Sequence, residues 1–296
     1  MMCACHWIVL SAIAIMAGNY SGEGVMPLSD AADYSDSVCI VQLTDSHIFA
    51  DAQQRLLGVD TLASLNAVID QVQLECPNMD LVLATGDITQ DAAAQSYRNF
   101  IEAVSRIPAP CHWIPGNHDD AVLMAELGRA HDLNRAWVDI GAWRVVLLDS
   151  SVPGKVHGML DQRQLLQLDE ALASAGSRHV LVCLHHHPVP IGSDWMEPLG
   201  LQNADQLMSR LEADHRVRAV LWGHIHQQLE QQHGTIRLLA SPSTCIQFAV
   251  ASSDFATDNQ APGYRWLRLY EDGRIDTAVS RLPDGCFLPE PGATGY

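Results

Sequence analysis

Apolar and polar positions along this chain repeat in a fixed order. A short apolar run meets a polar junction, and a longer stretch with apolar residues every three or four positions follows. Val38 to Leu43 (V-C-I-V-Q-L), Leu81 to Ala84, Cys111 to Ile114, Val180 to Leu184 and Ala219 to Trp222 are nearly unbroken apolar runs. Runs of this length are the pattern of strands buried on both faces. Between them, Thr61 to Gln73 sets Leu62, Leu65, Val68, Ile69 and Val72 at helical spacing. Helices are also expected over Ala92 to Val104, around Ala121 to Leu127 and over Leu207 to Ala213. Asp161 can cap one more, whose inner face is Leu165, Leu168 and Leu172. Ala136 to Ile140 and Trp143 to Leu148 flank Gly141-Ala142 as a hairpin. Past Trp222 only strand patterns remain: Leu229 to His233, Ile236 to Ala240, Tyr264 to Tyr270 and Ile275 to Ser280. Alternating strands and helices with a strand-rich tail predict an α/β layered fold, a mixed sheet system with outer helices.

Composition narrows the partners. The 296 residues carry 17 Lys+Arg against 35 Asp+Glu, a formal net charge of -18, and 48% are hydrophobic. Such a chain can bury a sizeable core, but its field repels a nucleic-acid backbone, so no nucleic-acid partner is expected. An anionic small substrate would need local positive charge, and bound metal ions are the natural source. The 8 cysteines form no zinc-type C-x-x-C pair and no disulfide framework, which reads as a reducing, cytoplasmic compartment. Trp7 to Ala17 is apolar, yet no Lys or Arg precedes it and it is too short to span a membrane. Residues 1–37 are therefore read as an extension, with 1–25 a mis-assigned start ahead of Met26, and 38–296 as one domain.

Each of the five apolar runs ends in metal-binding side chains. They deliver Asp45 and His47, Asp87, Asn117 and His118, His185, and His224 and His226. In open α/β sheets, ligands bind beyond the carboxyl ends of the strands. In extended chain, Asp45 and His47 would point the same way, as would His224 and His226. A lone Asp at a strand end is usually a helix cap and a lone His a core or surface residue; five in register make that reading untenable. Carboxylate, imidazole and amide oxygen without thiolate suit Mn, Fe, Zn or Co. Even seven of these eight side chains exceed one four-coordinate ion, and paired ions in phosphoester-cleaving sites lie about 3.5–4 Å apart. Asp87, a lone carboxylate between the paired motifs, is the natural bridge.

The set D-x-H, G-D, G-N-H-D, a strand ending in His, and G-H-x-H resembles the calcineurin-like metallophosphoesterases from about Val38 to the C-terminus. Further stretches are similar to the bacterial class III 3′,5′-cyclic-AMP phosphodiesterases: L-L-G-V-D-T at Leu56 to Thr61, L-H-H-H-P at Leu184 to Pro188, G-H-I-H-Q at Gly223 to Gln227 and S-P-S-T-C-I-Q-F at Ser241 to Phe248. The resemblance implies a four-layer sandwich of two mixed sheets flanked by helices. It implies two divalent ions, Fe or Mn first and Zn or Co as alternatives. One would be held by Asp45, His47, Asp87 and His226, the other by Asp87, Asn117, His185 and His224. His185 is taken over His186 because it comes first off its strand. The substrate phosphate would lie against His47, Asp87, Asn117, His118 and His226, with His118 protonating the leaving alcohol and Asp119 orienting His118 or capping the next helix. The iron-binding tyrosine of the purple acid phosphatases would fall at Gln90, so that branch is not resembled. The implied activity is hydrolysis of cyclic AMP to 5′-AMP by a monomer or homodimer without a membrane partner. Set beside it are a broader phosphodiesterase acting on 2′,3′-cyclic nucleotides or other diesters, a metal-free scaffold, and a nuclease. The scaffold conflicts with the full ligand set, and the nuclease with the acidic charge. His157 is a candidate support for the site; Trp195 and Met196 are candidates for a nucleobase pocket or for simple packing.

Overall fold

The computed structural model describes residues 37–292. Of the expected extension over residues 1–37, residues 1–36, with the start at Met26, lie outside the described residues, while Ser37 opens the first strand. Three parallel strands, β1 (Ser37–Leu43), β2 (Leu81–Thr85) and β3 (Cys111–Ile114), form one side of the first sheet. The second sheet starts with an antiparallel hairpin of β4 (Trp137–Ile140) and β5 (Trp143–Leu147). It continues with β6 (His179–Cys183), β7 (Val217–Trp222) and β9 (Ile236–Ala240), all parallel to β5, and closes on the antiparallel edge strand β8 (Leu229–His233). A short ribbon of β10 (Gln247–Phe248) and β11 (Thr257–Asp258) follows.

The strand-rich tail completes the first sheet. There, β12 (Gly263–Tyr270) runs antiparallel to β1, with Val41 opposite Trp266, and β13 (Ile275–Arg281) takes the edge. Both sheets are therefore mixed.

Alternation within the strands separates two apolar layers. Val145, Leu147, Leu181, Cys183, Ala219 and Leu221 meet Ile40, Leu81, Leu83 and Leu267 of the first sheet. Val146, Val180, Val182, Val220 and Trp222 face the other way. That outer face is covered by α4 (Gln162–Ser174), through Leu165, Leu168 and Leu172, and by α5 (Ala204–Glu212), through Leu207, Met208 and Leu211. Strands covered on both faces explain why their sequences read as continuous apolar runs. The earlier helices are α1 (Thr61–Glu75), α2 (Ala94–Val104) and α3 (Ala121–Gly128). Asp60, Asp120 and Asp161 cap α1, α3 and α4, each accepting from backbone N–H groups of the first turn. The α2 helix starts later than its pattern suggests, because Ala92 sits at φ 50° and the Asp91 carboxylate accepts from Ala93 N and Ser96 Oγ. Among the described residues no helix is long and apolar enough to cross a membrane.

A buried polar staple fastens the two sheets at the carboxyl ends of their strands. Gln42 Nε2 donates to Thr85 Oγ1 (2.7 Å) and to the Trp222 carbonyl (3.2 Å). Ser241 Oγ donates to Gln42 Oε1. Arg265, with 0% exposure, donates to Ser241 Oγ, to the Ala240 carbonyl at 2.9 Å and to Glu230 at 2.7 Å. Satisfied networks of this kind fix one register where an apolar contact would allow slippage. The strand ends beyond the staple are thereby held at a set spacing.

Candidate metal centre

At that end the five strand termini converge. His226 Nε2 lies 3.4 Å from Asp45 Oδ1, and His185 Nε2 lies 3.2 Å from Asp87 Oδ2. His47 Nε2 is 3.7 Å from Asp87 Oδ2 and 3.2 Å from His226 Nε2. Asp45, His47, Asp87, His185 and His226 are at most 1% exposed. Four overlapping clusters have ligand atoms within 4.8 Å of one another: Asp45/His47/His226, Asp45/Asp87/His185, His47/Asp87/His118 and His185/His186/His224. Asp45 and Asp87 each belong to two of them. The chain thus brings Asp45, His47, Asp87, His118, His185, His224 and His226 into overlapping clusters at one end of the sheets.

The backbone that does this differs from the extended chain expected for D-x-H and H-x-H. Asp45, His47, Asp87, His224 and His226 all have positive φ, from 46° to 66°. Left-handed conformations cost non-glycine residues roughly 1–2 kcal/mol each, and long-range backbone bonds hold them here. Asp45 N donates to the Gly86 carbonyl (3.0 Å), His47 N to the Asp87 carbonyl (2.9 Å) and Ile48 N to the Ile88 carbonyl (3.0 Å). Three glycines make room: a Cβ on Gly86 would fall on the His185 ring, one on Gly116 on Asp87, and one on Gly223 on Thr44 Oγ1 and the Asp45 carboxylate.

Outer partners aim the rings. His47 Nδ1 pairs with Gln90 Oε1 (2.6 Å), His185 Nδ1 with the Thr85 carbonyl (2.9 Å) and His226 Nδ1 with the Ile246 carbonyl (2.8 Å). In these three rings Nδ1 is the donor, which leaves Nε2 turned inward as a neutral ligand. His224 is the reverse, its Nε2 bonded to the Leu199 carbonyl at 3.1 Å. Among the buried side-chain atoms without a hydrogen-bond partner, His185 Nε2 and Asn117 Oδ1 belong to the strand-end candidates. Buried polar groups are otherwise almost always paired, so these atoms fit ions they would coordinate. His186 differs from its neighbour, since Nδ1 pairs with Ser150 Oγ (2.8 Å) and Nε2 with the Val156 carbonyl (3.0 Å).

The charges follow the packing. Burial opposes ionisation of Asp87, but the charges of His185 and His118 hold its carboxyl well below the usual range. Burial would lower His185, yet the nearby Asp87 charge pushes it up to about 9. Burial takes His47 down to about 3, and it takes His224 well below the usual imidazole value.

Other candidates are placed as follows. The half-buried His118 ring stands edge-on to His47 at 4.9 Å, and its backbone N–H donates to Asp87 Oδ1 (2.9 Å). The Asp119 carboxylate, expected to orient His118 or cap α3, is bonded to backbone N–H groups of two loops. It accepts from Ile88 N (3.0 Å), Thr89 N (3.1 Å) and Gly116 N (2.9 Å), clamping the Asp87 loop to the Asn117 loop. The cap is Asp120. Met196 is core at 1% exposure, and Trp195 packs edge-on against Phe248 and Phe255 at 5.2 and 5.3 Å, so the packing reading applies to both. In the loop carrying His157, the Val156 carbonyl is the group that reaches a site histidine. Thr44, whose Oγ1 donates to Asp45 Oδ2 (2.7 Å), and Ser243, whose Oγ donates to the Asp45 carbonyl (2.7 Å), were not anticipated. Only the Thr-Asp adjacency hinted at the first.

Comparison with known proteins agrees with this geometry. The family model described as calcineurin-like phosphoesterase matches residues 40–228. The chain is 51% identical over 270 residues to the 3′,5′-cyclic adenosine monophosphate phosphodiesterase CpdA of Pseudomonas aeruginosa, covering 91% of this chain and 97% of that protein. It is 42% identical over 261 residues to the CpdA of Escherichia coli K12, covering 88% and 95%. Among solved structures, a dimetal phosphatase from Danio rerio superposes with a TM-score of 0.58 at 16% identity, over 82% of this chain and 98% of that one.

Proposed function

The chain belongs to the calcineurin-like phosphoesterase family, and from that premise we propose that it hydrolyses 3′,5′-cyclic AMP to 5′-AMP at a dinuclear metal centre. The observation that carries this reading is the ring of carboxylates and imidazoles at five strand ends, enclosing the unpartnered atoms His185 Nε2 and Asn117 Oδ1. It stands in a chain similar along nearly its whole length to cyclic-AMP phosphodiesterases. In this reading Asp45, His47, Asp87 and His226 hold one ion and Asp87, Asn117, His185 and His224 the other, with Asp87 shared. Oxygen and imidazole donors without thiolate favour Fe or Mn, with Zn or Co as substitutes. When bound, the two ions neutralise the phosphate and supply a nucleophilic water near neutral pH.

The chain's own groups do the rest. The diester phosphate lies against His47, Asp87, Asn117, His118 and His226. The oxygen of one water joins phosphorus and its proton passes to solvent, the bond from phosphorus to O3′ breaks, and O3′ takes a proton from the protonated His118 ring, which solvent then reprotonates. General-acid assistance of this kind is worth about 10²–10⁴ in rate. Asp119 holds the two loops that carry Asp87 and His118 at a fixed distance. Cys39, Cys76, Cys111, Cys183, Cys245 and Cys286 are free thiols, in keeping with a cytoplasmic setting.

The test is turnover of 3′,5′-cyclic AMP, 2′,3′-cyclic AMP and bis(p-nitrophenyl) phosphate by protein stripped of metal and reloaded with Mn or Fe. Metal-dependent release of 5′-AMP from the 3′,5′ substrate is expected. Turnover of the other two esters alone would move the protein to the broader phosphodiesterases.

A further inference from the structure

Two sequence stretches that the metal chemistry leaves unexplained meet beside His226. They are the Gln227 that ends G-H-I-H-Q and the Gln247-Phe248 that ends S-P-S-T-C-I-Q-F. Phe248 stacks on the His226 ring at 4.1 Å and 9° between planes. A cavity of about 380 Å³ opens there, lined by His226, Phe248, Gln227, Gln247, Gln228 and Arg281 among others. That volume lies within the roughly 300–1,000 Å³ range of small-molecule sites. We infer that this cavity receives the base of the nucleotide and that Gln228 reads the base edge. The inference rests on the cyclic-nucleotide reading above.

The polar lining divides into committed and available groups. Gln247 is locked on Ser243, with Oε1 accepting from its N–H (3.2 Å) and Nε2 donating to its carbonyl (2.9 Å). Gln227 Nε2 donates to the Ala249 carbonyl at 3.2 Å. Arg281, whose guanidinium would suit guanine, commits Nη1 to the Ala261 carbonyl at 2.8 Å. Gln228 is exposed, and its amide makes no hydrogen bond among the described residues. A carboxamide presents a donor and an acceptor side by side, the complement of the N7 acceptor and N6 amino donor of adenine. Guanine shows two acceptors, N7 and O6, on the same edge and leaves the amide oxygen facing an oxygen. Adenine is therefore the base the Gln228 amide favours. Because the Gln228 side chain is exposed and carries no hydrogen bond of the fold, its replacement separates recognition from folding.

The experiment is steady-state kinetics of the metal-loaded full chain and its Gln228→Leu and Gln228→Arg variants. The substrates are 3′,5′-cyclic AMP, 3′,5′-cyclic GMP and bis(p-nitrophenyl) phosphate, which has no base. Roughly tenfold preference for cyclic AMP is expected of the parent, the lower part of what one bidentate base contact gives. In Gln228→Leu the KM for cyclic AMP should rise by about the same factor, with kcat little changed and the preference erased. Gln228→Arg should turn the preference toward cyclic GMP. An unchanged cyclic AMP to cyclic GMP ratio in both variants overturns the inference, as does an equal loss on bis(p-nitrophenyl) phosphate. Parent protein that cleaves bis(p-nitrophenyl) phosphate but neither cyclic nucleotide overturns the substrate reading itself, and the inference falls with it.

Discussion

Adjacent histidines, His185 and His186, should fail in different ways when each is replaced by alanine. His185 Nδ1 is fixed by the Thr85 carbonyl at 2.9 Å while Nε2 is buried, unpartnered and 3.2 Å from Asp87 Oδ2. Its removal takes a donor from the centre. Losing a mere supporting hydrogen bond typically costs 10–100-fold in metal affinity, so losing the donor itself should cost at least about 100-fold at one of the two ions. His186 has both ring nitrogens engaged, with Ser150 Oγ at 2.8 Å and the Val156 carbonyl at 3.0 Å. Each neutral hydrogen bond contributes about 1 kcal/mol. The ring also fills the space against Gly158, where even a Cβ would collide with it. Together, His186→Ala should lose about 2–4 kcal/mol of stability and keep both ions.

The assay pairs metal content per chain, measured by mass spectrometry after gel filtration, with urea unfolding followed by circular dichroism. His185→Ala should fall from two ions toward one with turnover lost. His186→Ala should hold two ions and unfold at lower urea. The reverse pattern, His186→Ala losing an ion while His185→Ala retains both, would refute the use of hydrogen-bond satisfaction to tell ligand from support.

Further outcomes follow from the same geometry. His118→Ala should keep both ions and lose roughly 10²–10⁴ in turnover of cyclic AMP; retained turnover would remove the proton-donor role. Because metal-free His185 is held up at about 9, ion binding below that pH must expel its proton, so affinity should climb with pH toward 9. Calorimetry at pH 7 in buffers of different ionisation enthalpy should register the released proton. Away from the centre, the hydrogen bonds of Arg144 hold the Asp139 carboxyl below its usual value. That stability is present above the unfolded pKa, about 3.9, and is lost as pH falls through the lower folded value, so Asp139→Asn should flatten the acid limb of a urea-midpoint series. Finally, His226 sits at φ 49°, so metal-free His226→Gly should be about 1 kcal/mol more stable than His226→Ala, the opposite of the order in a strand.

The sequence disclosed which elements exist and where their ends point, because both follow from local pattern. Apolar runs stop where the chain leaves the double cover of the sheets, and the residues just past that edge are the ones free to be polar. Asp161 read as a cap because N-capping needs only the neighbouring N–H groups. Whatever depended on partners far along the chain could not be read this way. The pairing of β12 with β1 joins Val41 to Trp266 across most of the chain. The clamp made by Asp119 depends on Ile88 and Thr89 lying beside Gly116.

The period-two argument for D-x-H and H-x-H assumed the wrong backbone: Asp45 and His47 share a cluster, whereas His224 and His226 fall in different ones. The ligands sit in left-handed conformations that non-glycine residues seldom adopt, and local propensity argues against such geometry at Asp45 or His226. Cross-loop hydrogen bonds from Asp45 N to Gly86 and from His47 N to Asp87 impose it. The resulting concentration of strain and unpartnered polar atoms has a chemical reason. A centre shaped to grip ions must keep its donors from satisfying one another, so it holds atoms such as His185 Nε2 unpaired on a backbone that would relax if the loops were released. The same residues that make the site unreadable from local preference are those whose stability the bound ions should restore. Metal loading should therefore raise the unfolding midpoint, as binding to the native state requires, by tightening these loops while leaving the sheets beneath them as they are.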